Sequence, residues 1–218
     1  LTDPVAHGGE AKDAYHLILP SLPGYGFSGK PKETGWGIKR IAAAWDILMS
    51  RLGYDRYLAQ GGDWGSMVTA AIAAANRGAC AGIHLNLVVV GPPPPEVLSA
   101  PTEEEKAAIA AYMGYTKHGT GYAEIQRTKP QSLGYGLADS PAMQLAWIVE
   151  KFQGWTGSGD TPETAFDRDE LLDNVTLYWL TNSGTSSARL YWESFTNFDL
   201  SPVTIPAAAT IFPREIMQ

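Results

Sequence analysis

The run Gly61-Gly62-Asp63-Trp64-Gly65 constrains the fold of this chain more than any other stretch. It follows a short apolar segment, Tyr57-Leu58-Ala59-Gln60, and precedes Ser66-Met67-Val68, which opens a helix-like stretch over roughly 66–77. A reactive side chain between a strand and a helix, with small residues around it, is the pattern of a nucleophile elbow. The turn is so sharp that side chains beside the apex would clash, and glycine removes them. Serine usually holds the apex; here an aspartate does. A carboxylate that attacks carbon leaves an alkyl ester, so the residue type points to an electrophilic alkyl carbon rather than an acyl group. An aspartate ahead of a helix can equally be a plain N-cap. The glycines at 61, 62 and 65 weigh for the nucleophile.

The surrounding pattern is that of alternating strands and helices. Tyr15-His16-Leu17-Ile18-Leu19 reads as a buried strand, with Pro20 to Gly29 as the loop leaving it. Ile38, Ile41, Ala42, Trp45, Leu48, Met49 and Leu52 then recur at three- and four-residue steps, one apolar face of an amphipathic helix stopped by Gly53. The elbow strand and its helix follow, and Ala81 to Val90 reads as the next strand. This order predicts a mostly parallel sheet covered by helices on both faces.

Pro92-Pro93-Pro94-Pro95 breaks the pattern. Thr102-x-x-Glu105 is a capping box, Ser140-Pro141 a cap before a proline at the first helical position, and Asp167-x-x-Glu170 heads another helix. A last helix is expected over 185–196, and Val203-Thr204-Ile205 as a strand. The organisation predicted is a first core part at 1–92, a helical lid at 93–201 and a return to the core sheet at 202–218.

Composition excludes several classes. With a net charge of −7 and no Lys/Arg cluster, nucleic-acid binding is disfavoured. The single cysteine, Cys80, cannot build an internal disulfide and reads as a buried, inert thiol. No stretch approaches the ~20 apolar residues of a membrane span, and no signal peptide opens the chain, so a cytoplasmic location is expected.

Gly61 to Ser66, together with Leu22-Pro23-Gly24-Tyr25-Gly26-Phe27-Ser28, resembles the α/β-hydrolase-fold epoxide hydrolases, in particular their microsomal-like and fungal-type branch. The similarity continues through Ile83 to Leu87, Thr128-Lys129-Pro130, Asp139-Ser140-Pro141, Leu145 to Phe152 and Leu177 to Thr181, and so covers nearly the whole chain. The resemblance implies Asp63 as nucleophile, with the backbone N–H of Trp64 as an oxyanion donor. It implies two lid tyrosines that hydrogen-bond and protonate the epoxide oxygen, falling on Tyr122 and Tyr191. Ring strain drives opening, but an alkoxide leaves poorly without an acid beside it. Among ten tyrosines, spacing alone would single out neither; Tyr112, Tyr115 and Tyr135 are the neighbours most easily confused with Tyr122. The implied partners are a small apolar epoxide and water, with no cofactor and no metal. Tryptophans 147, 155, 179 and 192 suit an apolar pocket or, equally, ordinary packing of the lid.

The same resemblance implies a water-activating histidine and its acid partner after the lid, and a His-Gly-x-Pro segment ahead of Leu1. Neither is found here: the four histidines are His7, His16, His84 and His118. His16 and His84 read as core histidines, His118 as exposed, His7 as part of a polar loop. The expectation is a core incomplete at both ends that can be loaded at Asp63 but not released. Two other readings compete. A haloalkane dehalogenase also uses an elbow aspartate, often followed by tryptophan, and a non-catalytic remnant could merely bind apolar ligands.

Overall fold

A computed structural model describes the chain apart from Val90, Pro92, Gly157, Ser158, Asp160, Thr196, Asn197, Asp199, Pro213, Arg214 and residues 216–218. Strands β1 (Tyr57–Gly61) and β2 (Cys80–Asn86) pair in parallel, and β3 (Ala207–Thr210) adds to the other side of β2, again parallel. Parallel neighbours need a crossover, and α2 (Trp64–Ala75) provides it between β1 and β2. Helix α1 (Ile38–Arg51) lays Ile38, Ile41 and Ala42 on Val68, Ala71 and Ile72 of α2, while Cys80 and Ile83 close this core from the sheet. The recurring apolar steps in the sequence therefore mark a real helix face. Cys80 is buried there, and burial pushes its thiol pKa up, consistent with an inert side chain.

The elbow depends on one close approach. A Cβ on Gly61 would stand 2.0 Å from the Gly65 carbonyl oxygen and 2.7 Å from Thr69 Oγ1. At Gly62 the nearest atom would be Asn86 Cβ at 3.5 Å, and at Gly65 nothing lies within 4 Å. The steric need for glycine is concentrated at position 61 instead of being shared by all three.

Between β2 and β3 the described chain is helical: α3 (Pro95–Ser99), α4 (Glu103–His118), α5 (Gly121–Thr128), α6 (Pro130–Asp139), α7 (Pro141–Trp155), α8 (Arg168–Leu180) and α9 (Gly184–Ser194). The capping boxes at Thr102/Glu105 and Asp167/Glu170 form, and Ser140 Oγ accepts from Met143 N at 3.2 Å. Leu133, Leu137 and Ala188 make a second small core with Met143 and Trp147. Helix α9 serves both cores, because Leu190 on another of its faces belongs to the first. No described helix is long and apolar enough to cross a membrane.

Several expectations need correction. Tyr15–Leu19 is not a buried strand: it pairs with no described strand, and Tyr15, Leu17 and Leu19 are exposed. His16 is consequently no core residue; it is exposed, with Nδ1 2.8 Å from the Tyr54 hydroxyl. His84 is only half-buried and meets Thr210 Oγ1 at 2.9 Å. His7 lies in a short 3-10 helix, and His118 is exposed as expected. The sheet is not covered on both faces, since Leu58 and Gln60 alternate outward along β1. Strand β2 stops at Asn86 because Leu87 turns left-handed (φ 63°); Val90, its expected end, lies outside the described residues. The returning strand is Ala207–Thr210, not Val203–Ile205: pairing begins only at Pro206, whose carbonyl accepts from Ile83 N at 2.9 Å. The expected break at Pro92 falls outside the described residues.

Gly61→Ala should therefore destabilise the fold by about 3 kcal/mol or more, because backbone has to move to admit the methyl. Gly65→Ala should stay within about 1 kcal/mol. Urea unfolding of the two variants beside the parent chain checks both.

Candidate active site

Asp63 forms the apex between β1 and α2 with φ 50° and ψ −127°, outside the ordinary allowed regions for a residue with a side chain. Such a conformation costs of order 1–3 kcal/mol and persists only where the surroundings impose it. The imposing elements are β1, held in the sheet, and α2, buried through Ser66, Val68, Thr69 and Ile72. Ser66 Oγ also donates to the Leu87 carbonyl at 2.8 Å, which ties the first turn of α2 to the end of β2.

The carboxylate accepts the Trp64 N–H through Oδ1 at 2.6 Å. Asp63 is thus both an N-cap and an exposed apex, so capping and a nucleophilic role do not exclude one another. Although solvent reaches the side chain, the crowded surroundings desolvate the carboxyl and raise its pKa, and the Trp64 N–H pulls it back down.

Above the apex lies an aromatic wall. The Trp64 ring meets Tyr191 edge-on at 4.8 Å between centroids, and Tyr191 meets Tyr122 edge-on at 5.8 Å. Tyr122 also contacts Trp155 at 5.3 Å, and Lys151 Nζ stands 4.2 Å over its ring. Tyr122 and Tyr191 line a cavity of about 340 Å³ walled mainly by residues of α5 to α9, with Tyr25 and Tyr178 among its other walls; Asp63 and Trp64 are not on its lining. Burial and then the Asp63 charge push Tyr191 up to about 12. Burial, followed by Tyr191 and Tyr115, holds Tyr122 well above the usual phenol range. Both phenols therefore keep their protons at neutral pH.

The structure brings together Asp63, Trp64, Tyr191 and Tyr122. Tyr112 and Tyr135 are exposed, and Tyr115 is a neighbour of Tyr122 that does not line the cavity. Trp147 and Trp155 line it, whereas Trp179 and Trp192 do not. No histidine among the described residues lines it. No described cluster of His, Cys, Asp and Glu is arranged to hold a metal.

Sequence reasoning did not single out Tyr25 or Tyr178, yet both phenols feel the Asp63 charge, and burial raises both. A signal existed, because each lies inside a motif block already noted, Leu22–Ser28 and Leu177–Thr181. Tyr25 is aimed by its own hydroxyl, which donates to the Ser187 carbonyl at 3.0 Å. Lys151 and Gln144 on α7 also line the cavity.

Comparison with known proteins gives the chain's relatives. The family of the alpha/beta hydrolase fold matches residues 9–124. A protein of Stigmatella aurantiaca, named a candidate epoxide hydrolase, is 52% identical over 219 residues, spanning 100% of this chain and 50% of that protein. The juvenile hormone epoxide hydrolase of the silkworm Bombyx mori superposes with a TM-score of 0.78 at 34% identity, covering 88% of this chain and 51% of the other. The Aspergillus niger epoxide hydrolase superposes with a TM-score of 0.76 at 34% identity, covering 91% and 51%. The chain spans about half the length of the relatives it matches.

The raised pKa of Asp63 carries a stability consequence with a definite sign. A carboxyl whose folded pKa exceeds its unfolded value, about 3.9, favours folding while protonated, and that contribution is lost as pH rises through the folded pKa. Asp63→Asn removes the charged state and should stabilise the chain at neutral pH by roughly 0.5–1 kcal/mol, a modest size because the group is partly solvated. Thermal melts at neutral pH and near pH 3 check this: the gain should be present in the first and gone in the second.

Proposed function

Because the chain belongs to the α/β-hydrolase fold family, we propose that its elbow aspartate opens epoxides through a covalent ester. The observation that carries this reading is the run of contacts from the apex into the cavity: the Tyr191 ring lies edge-on to Trp64 and feels the Asp63 charge, and Tyr122 lies edge-on to Tyr191 on the same lining. One oxygen of the carboxylate rests on the Trp64 N–H, leaving the other to attack. As its lone pair forms the bond to a ring carbon, the carbon–oxygen bond of the epoxide breaks and its electron pair stays on the ring oxygen. A tyrosine hydroxyl gives that oxygen its proton, and the resulting phenolate recovers one from solvent. The product is a hydroxyalkyl ester of Asp63 carrying a neighbouring alcohol.

Hydrolysis of the ester to a vicinal diol requires a base to activate water. Attack on the ester carbonyl would place negative charge on the oxygen that Trp64 N–H already holds, which makes that N–H the oxyanion donor. With no histidine among the cavity residues, the chain alone would stop at the ester. In this reading residues 93–201 act as a lid over the apex, between a first core part at 1–92 and a return to the sheet at 202–218. A halide-releasing reading fits less well, because the Trp64 ring is buried against Tyr191 and phenols occupy the wall beside it.

Incubation of the chain with a terminal epoxide, followed by intact-mass measurement, should show one added epoxide mass, absent from Asp63→Asn. Sustained diol production by the chain alone would overturn the claim that it stops at the ester. Tyr191→Phe and Tyr122→Phe should each slow adduct formation by about tenfold or more, and the double variant by on the order of 10²–10⁴.

A further inference from the structure

Lys151, on α7, is the one charged side chain on the cavity lining among the described residues. Only 16% of that side chain is exposed, whereas its ion-pair partner Glu150, with Oε2 2.6 Å from Nζ, is 66% exposed. A mostly buried ammonium is costly unless the groups around it replace the water it has lost. Glu150 does so from the solvent side. From the cavity side two aromatic rings do: Nζ stands 4.2 Å over the centroid of Tyr122 and 5.7 Å over that of Trp155.

Local sequence puts the cation there. Ile148, Lys151, Phe152 and Trp155 recur at three- and four-residue steps along α7, and all four line the cavity. Trp155 also meets the Tyr122 ring edge-on at 5.3 Å, so two residues one turn apart on α7 hold a ring that α5 carries. A neutral phenol draws the ammonium only through the electrons of its ring face, but a phenolate would present a full negative charge. Burial opposes that charge at Tyr122, so a nearby cation matters most at the moment the proton leaves.

We propose that Lys151 is a positioning residue for epoxide opening: its ammonium holds the Tyr122 ring and offsets the charge left on the Tyr122 oxygen when that phenol protonates the opened ring. The inference rests on the reading of Asp63 and the tyrosines as an epoxide-opening site, and the test separates the two. The Asp63 carboxylate forms the bond to carbon, and the carbon–oxygen bond breaks with its electron pair on oxygen. That oxygen takes the Tyr122 proton, and the phenolate stays beside the ammonium until water returns one. Lys151 itself neither gains nor loses a proton. It acts through Tyr122 by charge alone, and its contribution should vanish when position 122 has no hydroxyl.

The rate at which an excess of a terminal epoxide adds to the chain is followed by intact mass over a range of epoxide concentrations. Lys151→Met should lower the limiting rate about tenfold, no more than Tyr122→Phe does, and leave the half-saturating concentration within about twofold. Lys151→Arg, which keeps a cation over the ring, should stay within about threefold of the unsubstituted chain. In Tyr122→Phe, adding Lys151→Met should change the limiting rate by less than about twofold. A merely structural role would instead repeat the loss in that background. If Lys151→Met does not fold, Lys151→Gln takes its place in both backgrounds with the same expectations. An unchanged limiting rate without the ammonium, or an equal loss with and without the Tyr122 hydroxyl, overturns the inference while the adduct on the unsubstituted chain upholds the nucleophile. Absence of any adduct on the unsubstituted chain overturns the nucleophile reading and this inference with it.

Discussion

The shape of the apex depends on the near-contact between the backbone of Gly61 and the carbonyl of Gly65. Only at that separation can the chain reverse from strand to helix in so few residues. The strain falls on Asp63, whose backbone angles no ordinary loop would keep. Two packed elements maintain it: β1, paired along its length with β2, and α2, which has seven buried residues in twelve. The apex therefore draws its shape from the sheet and core beneath it, and loosening either would relax the carboxylate away from its N–H partner.

A second constraint sets what stands above the apex. The loop after residue 20 is fastened to α9 at several points: Ser186 Oγ donates to the Gly24 carbonyl at 2.5 Å, the Tyr25 hydroxyl to Ser187, and Gly35 N to Glu193 Oε1 at 2.9 Å. Lys30 adds a bond to the Thr181 carbonyl. Gly24 is required at this junction, because its φ is +88° and a Cβ would lie 3.1 Å from the Ser186 carbonyl oxygen. These bonds orient α9, and with it Tyr191, relative to Trp64. The helical block is in this way positioned by polar contacts together with Leu190, Tyr191 and Phe195, which pack against the first core.

Local signals were the legible part of the sequence. The elbow glycines, the α1 stripe and the caps at Thr102, Ser140 and Asp167 each depend on neighbours within a few residues, and each was found where the pattern put it. What failed was whatever depended on distant partners. Tyr15–Leu19 has strand-like residues, yet a strand exists only when another lies beside it, and the burial of His16 fell with it. The returning strand was placed too early because β-branched residues at Val203–Ile205 outweighed Pro206 and the plain alanines that do pair. Tyr25 and Tyr178 were overlooked for the same reason: their relation to Asp63 runs through the fold, across more than thirty and more than a hundred residues.

The proposed reaction asks for opposite protonation states from neighbouring groups. An epoxide-opening aspartate must be charged, while the tyrosines that assist it must be neutral. Burial raises the pKa of both kinds of group. A phenol starts above neutrality and is moved further away, whereas a carboxyl starts well below neutrality, and at Asp63 the Trp64 N–H opposes the rise. The same desolvation makes the Asp63 carboxylate less comfortable as an anion, and ester formation would, in the proposed reaction, relieve that charge by turning it into a neutral ester. The displaced negative charge would pass towards the phenols, where the Lys151 ammonium stands over the ring of Tyr122. In the proposed reaction charge thus moves from a crowded apex towards a cation, and the geometry of the aromatic wall is the path it takes.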